Sequence, residues 1–299
     1  MSAMDETAAA GVDEPRQPHE IPPANDTAPP TALTIAGSDS GGSAGMHADL
    51  RTFFACGVHG MTAVTAVTVQ NTVGVRDVVP IPPETVAAQI DAVAGDIGVS
   101  AAKTGVLASA ATIEAAVEAC ERHGIGGSGS TPFVVDPVAA SRSGEPLLSP
   151  DALDALRYEA FPRATLVTPN LDEVRLLTGV DARTRDDLRD AAKAVHEFGP
   201  RWVLIKSGHL PDDPECVDLL FDGNEAVPLS GPRYSTPHTH GAGDAFASAI
   251  TAALAQGEPV PDAVRAGKRF VTRCVEHAYP LGSGIGPVST FWRIDDERW

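Results

Sequence analysis

From Ala32 onward, short apolar or β-branched runs alternate with helical segments, and this alternation constrains the fold more than any other feature of the chain. Parallel strands need a crossover long enough to hold a helix, so alternating strands and helices predict a parallel sheet covered on both faces. The runs at 32–36, 61–69, 75–80, 99–103, 133–135, 164–168 and 202–205 read as strands. Between them, 46–54, 83–93, 109–122, 150–160, 171–177 and 184–198 read as helices, with Ser109 as a cap and Pro83 in a first turn. Two runs, 217–221 and 226–229, flank Asp222-Gly223 and predict a hairpin. Helices over 243–255 and 261–278 follow. The expected fold class is α/β, a mostly parallel central sheet with helices on both faces, in a single domain over 32–299. Residues 1–31 hold six Pro and six acidic residues against one Arg, with no amphipathic period. They read as a disordered tail, and they lack the basic start and apolar stretch of a signal peptide.

The charge balance excludes whole classes of partner. There are 22 Lys+Arg against 40 Asp+Glu, a formal charge of −18. Nucleic acid and anionic membrane surfaces both require a basic face, so neither is an expected partner. No apolar run approaches the roughly 18–20 residues needed to span a bilayer. Such acidity suits a protein kept soluble in concentrated salt, or an ordinary acidic protein of the cytosol. Only four residues are Lys: 103, 193, 206 and 268. Cys56, Cys120, Cys216 and Cys274 are scattered without a CxxC, which predicts reduced thiols and a cytoplasmic location.

In an open α/β sheet, ligands bind outside the carboxyl ends of the strands. Four segments lie there. Gly37-Ser-Asp-Ser-Gly-Gly-Ser-Ala-Gly45 follows the first strand, and its four glycines admit either a flexible turn or a loop covering a ligand. Asp49, on the next helix, is placed to point a carboxylate into the same site. Thr239-His-Gly-Ala-Gly-Asp244 opens a helix, where the amides of Gly241, Ala242 and Gly243 form an anion cradle and Asp244 stands as a base for a hydroxyl. That pairing suits phosphoryl transfer; the plainer reading makes Asp244 a helix cap. Thr168-Pro-Asn170 with Glu173 sits at a strand end and suits Mg²⁺ near phosphates, or a helix cap beside a surface Glu. Lys206-Ser-Gly208 ends another strand and offers a phosphate contact. Asp136, Arg142 and Ser143 extend the same rim.

These motifs, in this order, resemble the hydroxymethylpyrimidine and phosphomethylpyrimidine kinases of thiamine biosynthesis, within the ribokinase-like superfamily. The resemblance runs from Ala32 to about Trp292. It is carried by Leu33-Thr-Ile-Ala-Gly-Ser-Asp-Ser40, Ala44-Gly-Met-His-Ala-Asp-Leu50, Val69-Gln-Asn-Thr72, Lys103-Thr-Gly-Val-Leu107, Val135-Asp-Pro-Val138, Val167-Thr-Pro-Asn-Leu-Asp-Glu173, Leu204-Ile-Lys-Ser-Gly208, Gly241-Ala-Gly-Asp244 and Gly284-Ile-Gly-Pro287. It implies a ribokinase-like fold, ATP and Mg²⁺ as cofactors, a small pyrimidine as substrate, and a homodimer. By analogy Gly37, Asp39, Ala44, Asp49, Gln70, Val106 and Val138 match the pyrimidine pocket. Asn170, Lys206, Gly208 and Arg142 match nucleotide contacts, Asp136 and Glu173 the metal region, and Asp244 the catalytic base. Two positions depart from the pattern: Asp244 stands where this family often has Cys, and Arg142 where Lys is common. The first puts the second phosphorylation, on an already anionic monophosphate, in question. A pyridoxal or pyridoxine kinase and a non-catalytic pyrimidine sensor are the competing expectations.

Overall fold

The computed structural model describes residues 28–139, 148–208, 210 and 213–293. Of the expected tail, 1–27 lie outside the described residues, as do Arg142 and Ser143. The strands are β1 (Thr31–Ala36), β2 (His59–Val64), β3 (Ala66–Gln70), β4 (Val75–Pro80), β5 (Ala101–Thr104), β6 (Phe133–Val135), β7 (Leu166–Val167), β8 (Trp202–Ile205), β9 (Glu215–Phe221) and β10 (Ala226–Pro232). The helices are α1 (Gly45–Ala55), α2 (Pro83–Asp96), α3 (Ala110–Arg122), α4 (Pro150–Ala155), α5 (Leu171–Thr178), α6 (Leu188–His196), α7 (Ala242–Ala255) and α8 (Val260–Glu276).

Eight strands form one sheet in the order β10-β9-β8-β7-β6-β5-β1-β2. Pairings from β2 through β8 are parallel, while β9 and β10 join antiparallel at one edge. This is the expected mostly parallel sheet. The chain leaves β1 toward β2, then returns to lay β5 on the other side of β1. Ligand sites gather at the carboxyl ends beside such a reversal.

Strand parity divides the interior into two cores. Leu33, Ile35, Phe133, Val135, Val203 and Ile205 face the layer that includes Val86 of α2, Ile113 of α3, Val174 of α5 and Val195 of α6. Val134, Leu166 and Leu204 face the other way, against Phe246 and Ile250 of α7 and Val264 of α8. Helix α7 is buried continuously from Ala245 to Leu254, so it is the central helix of its face. Strand β5 contributes Ala102 to the first core and Ala101 to the second. The parity that sends Ala101 toward α7 also sends Lys103 there.

Element boundaries differ from expectation most at three places. The run 61–69 is not one strand. Thr65 divides it, donating its hydroxyl to Val106 O at 2.5 Å and its amide to Ala36 O at 3.1 Å. Beyond Thr65, β3 leaves the main sheet and pairs with β4 alone. The helix expected from Thr184 begins only at Leu188, because Asp187 turns back to accept from the amides of Arg183 and Thr184. The helix expected over 150–160 stops being α-helical at Ala155 and continues as a π turn over Leu156–Ala160 and a 3₁₀ turn over Phe161–Arg163, where Pro162 supplies no amide for an α-helical bond. The predicted Ser109 cap is present, accepting from the Thr112 amide.

Candidate active site

The carboxyl ends of β1, β5, β6, β7 and β8 deliver Gly37, Gly105, Asp136, Thr168 and Lys206 to one side of the sheet. Opposite them is the amino end of α7. Gly241 precedes this helix at φ +78°, and its backbone carbonyl accepts the first helical bond from Ala245 at 2.9 Å. The predicted cradle needs one correction. The Ala242 amide is spent on Thr239 O at 3.2 Å. The amides of Gly243 and Asp244 are the first-turn donors that have no carbonyl one turn back, and the helix dipole adds to their attraction for an anion.

The glycine-rich loop 37–45 packs directly against this cradle. A side chain at Gly241 would sit 2.0 Å from Ser43 O, and one at Gly45, φ +55°, 2.5 Å from Gly37 O. The loop is held by Asp39. Its carboxylate accepts from the amides of Gly41, Ser43 and Ala44, each at 2.8 Å, and His240 Nε2 lies 3.5 Å away. Burial would raise the Asp39 pKa, but His240 and the three amides outweigh it and hold the carboxyl at about 2. Asp39 therefore organises the loop. Gln70, at the end of β3, places Nε2 3.4 Å from His240 Nε2, so the predicted pyrimidine residue and the cradle meet. Gly37 and Ala44 line this loop, Val106 accepts from Thr65 at the end of β5, and Val138 follows Asp136.

Asp49 is also corrected. Its side chain is fully buried beneath the site, accepting from Lys103 Nζ at 2.8 Å, Thr34 Oγ1 at 2.6 Å and Ser248 Oγ at 2.6 Å. A pyrimidine amine cannot reach a carboxylate so enclosed.

Around the predicted metal region, Lys206 Nζ and Thr168 Oγ1 both bond Asp136 Oδ1, at 2.6 and 2.8 Å. Asn170 and Glu173 form a reciprocal capping box on α5. The cap and the site are thus the same residues, but Glu173 is buried at 2% exposure rather than lying on the surface. Burial pushes its carboxyl up to about 8, with Asp136 adding and Lys206 and the amides of Asn170 and Ala139 opposing. Among the described residues no cluster of three or more His, Cys, Asp or Glu is arranged to hold a metal. That donor set fits an ion carried mainly by phosphates and water, as Mg²⁺ is, with one or two carboxylates.

Asp244 is 18% exposed in the first turn of α7. Burial pushes its carboxyl up to about 6, with Lys103 and Lys206 opposing and Asp49 and Asp136 adding. It does not cap the helix, since Gly241 holds that position. Beside it lies a pocket of about 320 Å³, lined by Asn170, Lys206, Gly208 and Gly241 to Gly243, and closed by Tyr234, Val271 and Val275. The apolar wall and the Lys268–Asp218 pair also line this pocket, and the sequence pattern does not single them out. Lys268 donates to Asp218 at 2.6 Å and to Cys216 O at 2.9 Å. Its one signal in the sequence is rarity: Lys103, Lys206 and Lys268 are at most 13% exposed, and Lys193 alone, at 51%, is a surface lysine.

The family pattern for phosphomethylpyrimidine kinase matches residues 39–289. The chain belongs to the phosphomethylpyrimidine kinase family. It is 53% identical over 266 residues to the hydroxymethylpyrimidine/phosphomethylpyrimidine kinase of Mycobacterium tuberculosis, covering 89% of this chain and 95% of that one. Similarity to the enzyme of the same description from Bacillus subtilis is 42% over 260 residues, 87% and 94% of the two chains. Among solved structures, a Bacillus subtilis pyridoxal kinase bound to ADP superposes with a TM-score of 0.81 at 37% identity, covering 90% of this chain and all of that one. A phosphomethylpyrimidine kinase from Clostridium difficile gives 0.71 at 37% identity, covering 81% and 97%. As a member of this family the chain is a phosphotransferase with the ribokinase-like fold. No helix among the described residues is long and apolar enough to cross a membrane.

Proposed function

We propose that this protein transfers the γ-phosphoryl group of ATP to the hydroxymethyl oxygen of 4-amino-5-hydroxymethyl-2-methylpyrimidine, and then a second phosphoryl group to the monophosphate. The observation that carries this reading is Asp244, set directly after Gly243, the last residue of a helix-terminal stretch that lines a pocket together with Lys206. The substrate oxygen attacks phosphorus, the bond from phosphorus to the bridging oxygen of ADP breaks, and the hydroxyl proton passes to Asp244. The amides of Gly243 and Asp244 face the charge that develops on the transferring group. Asp136 and Glu173 would hold Mg²⁺, which supplies charge neutralisation between the phosphates. Lys206 offers the nucleotide its ammonium. Burial would depress that ammonium, but Asp136 and Glu173 outweigh the cost and hold it above its ordinary pKa. The apolar wall of Tyr234, Val271 and Val275 suits a flat purine base.

The second transfer brings a phosphate monoester toward Asp244, which is a like-charge approach. The α7 terminus and Lys206 offset it. Incubation with ATP, Mg²⁺ and the pyrimidine alcohol, with products resolved by anion exchange, is expected to give the monophosphate first and the diphosphate later. Pyridoxal is the control substrate, since several structural neighbours are pyridoxal kinases. Preference for pyridoxal by tenfold or more in kcat/KM would replace the pyrimidine reading.

The homodimer is part of the same proposal. The β3–β4 ribbon leaves Val67, Val69, Val75, Val78 and Val79 between 45% and 53% exposed, apolar side chains of the kind that interfaces cover. Sedimentation at micromolar concentration is expected to read twice the chain mass; a monomer would remove this part. All four cysteines are unpaired thiols, which supports a reducing compartment such as the cytoplasm.

A further inference from the structure

Lys103 is not among the residues lining the pocket beside Asp244 and has no place in the transfer itself, yet it is fully buried. Burying an ammonium is costly unless it is paired. Its partner is Asp49, at 2.8 Å, and its next nearest carboxylate is Asp244 Oδ1, at 4.0 Å. Asp49 in turn is fixed by three donors from three elements: Lys103 on β5, Thr34 on β1 and Ser248 on α7. The ammonium is therefore locked by a carboxylate below and stands within charge range of the catalytic carboxylate above.

We propose that Lys103 is a positioning residue that keeps Asp244 ionised and ready to accept a proton, and that Asp49 sets how strongly it does so. Without the ammonium of β5, the carboxylates of Asp49 on α1 and Asp244 on α7 would have no cation between them. With the ammonium but without Asp49, the cation would be drawn wholly to Asp244 and would make it too weak a base. The other charges near Asp244 come from Asp136 after β6 and Lys206 after β8. Those two form their own pair at 2.6 Å. Burial would depress the Lys103 ammonium, but Asp49, Asp244 and Asp136 outweigh it and hold it protonated.

The role given to Lys103 rests on Asp244 as the base, so its test includes a readout that needs no turnover. An opposite charge within about 4–6 Å shifts a carboxyl pKa by roughly 1–3 units. In Lys103→Met, the acid limb of kcat/KM is expected to move up by about one pH unit or more, with rate recovered at high pH. In Asp49→Asn, a near-isosteric change, the limb is expected to move down, with a rate lowered across the whole profile. The ¹³C carboxyl titration of Asp244, assigned by its loss in Asp244→Asn, should move in the same two directions in the ligand-free protein. A purely structural Lys103 would lower the melting temperature of Lys103→Met and leave its limb and titration within about 0.3 unit of the parent, well short of a charge effect at this range, which overturns the proposal. If Lys103→Met does not fold, Lys103→Gln read by the same titration decides: an unmoved Asp244 carboxyl overturns the proposal. Failure of the parent to phosphorylate the pyrimidine would refute the substrate assignment, and the carboxyl titration would still decide the role of Lys103.

Discussion

Asp244→Asn is expected to lower kcat by about 10²–10⁴-fold while leaving KM for ATP within about threefold, the usual loss when a general base is removed. The substitution keeps the size of the side chain and a polar tip in the first turn of α7. It removes the one group there that can take a proton. Binding is spared because the amides, Lys206 and the apolar wall do not depend on the carboxylate. The same residue predicts the pH profile of the parent. Burial raises the Asp244 carboxyl to about 6, so the base is ionised above that pH and protonated below it. Activity should therefore fall toward tenfold per unit as pH drops below about 6, and the fall should be absent from the residual rate of the variant. Steady-state kinetics across pH 5 to 8 would measure both. A variant retaining more than a third of the parent rate would remove Asp244 as the base.

Gly241→Ala is expected to lower kcat/KM by about 10²–10³-fold, comparable to losing an oxyanion-hole donor. Two costs act together. The residue sits at φ +78°, where a side chain adds roughly 1–2 kcal/mol of strain. The new Cβ would also stand 2.0 Å from Ser43 O, a backbone atom with no rotamer to change. The α7 terminus and loop 37–45 must separate, and the amides leave the position they hold against the phosphoryl group. Kinetics together with urea denaturation separate the effects: a stability loss alone, with kcat/KM within threefold, would mean the cradle is not where transfer is stabilised.

The site is legible in the sequence wherever its geometry is local. A helix terminus presents amides whatever surrounds it, so Gly241 to Asp244 can be read directly, apart from the Ala242 amide, which a local turn with Thr239 consumes. Asn170 and Glu173 are three residues apart, which fixes the capping box by helical spacing alone. The strand runs and the hairpin at Asp222-Gly223 are legible for the same reason. The break at Thr65 is not. Both sides of it are rich in β-branched residues, and bonds from Thr65 to distant groups, among them its hydroxyl to Val106 O 41 residues away, redirect the chain.

Asp49 shows the limit most clearly. Its place on α1 is readable, but its partner Lys103 is 54 residues distant and Ser248 is 199. Which way Lys103 points depends on the parity of β5, and whether that direction meets a carboxylate depends on how α1 and α7 pack. Sequence pattern by itself determined the alternating architecture and the placement of Gly241 to Asp244 at a helix terminus, because backbone donors and periodicity are short-range properties. Tertiary structure alone decided which charges are buried and against whom, because pairing across the fold is what makes a buried ammonium or carboxylate tolerable.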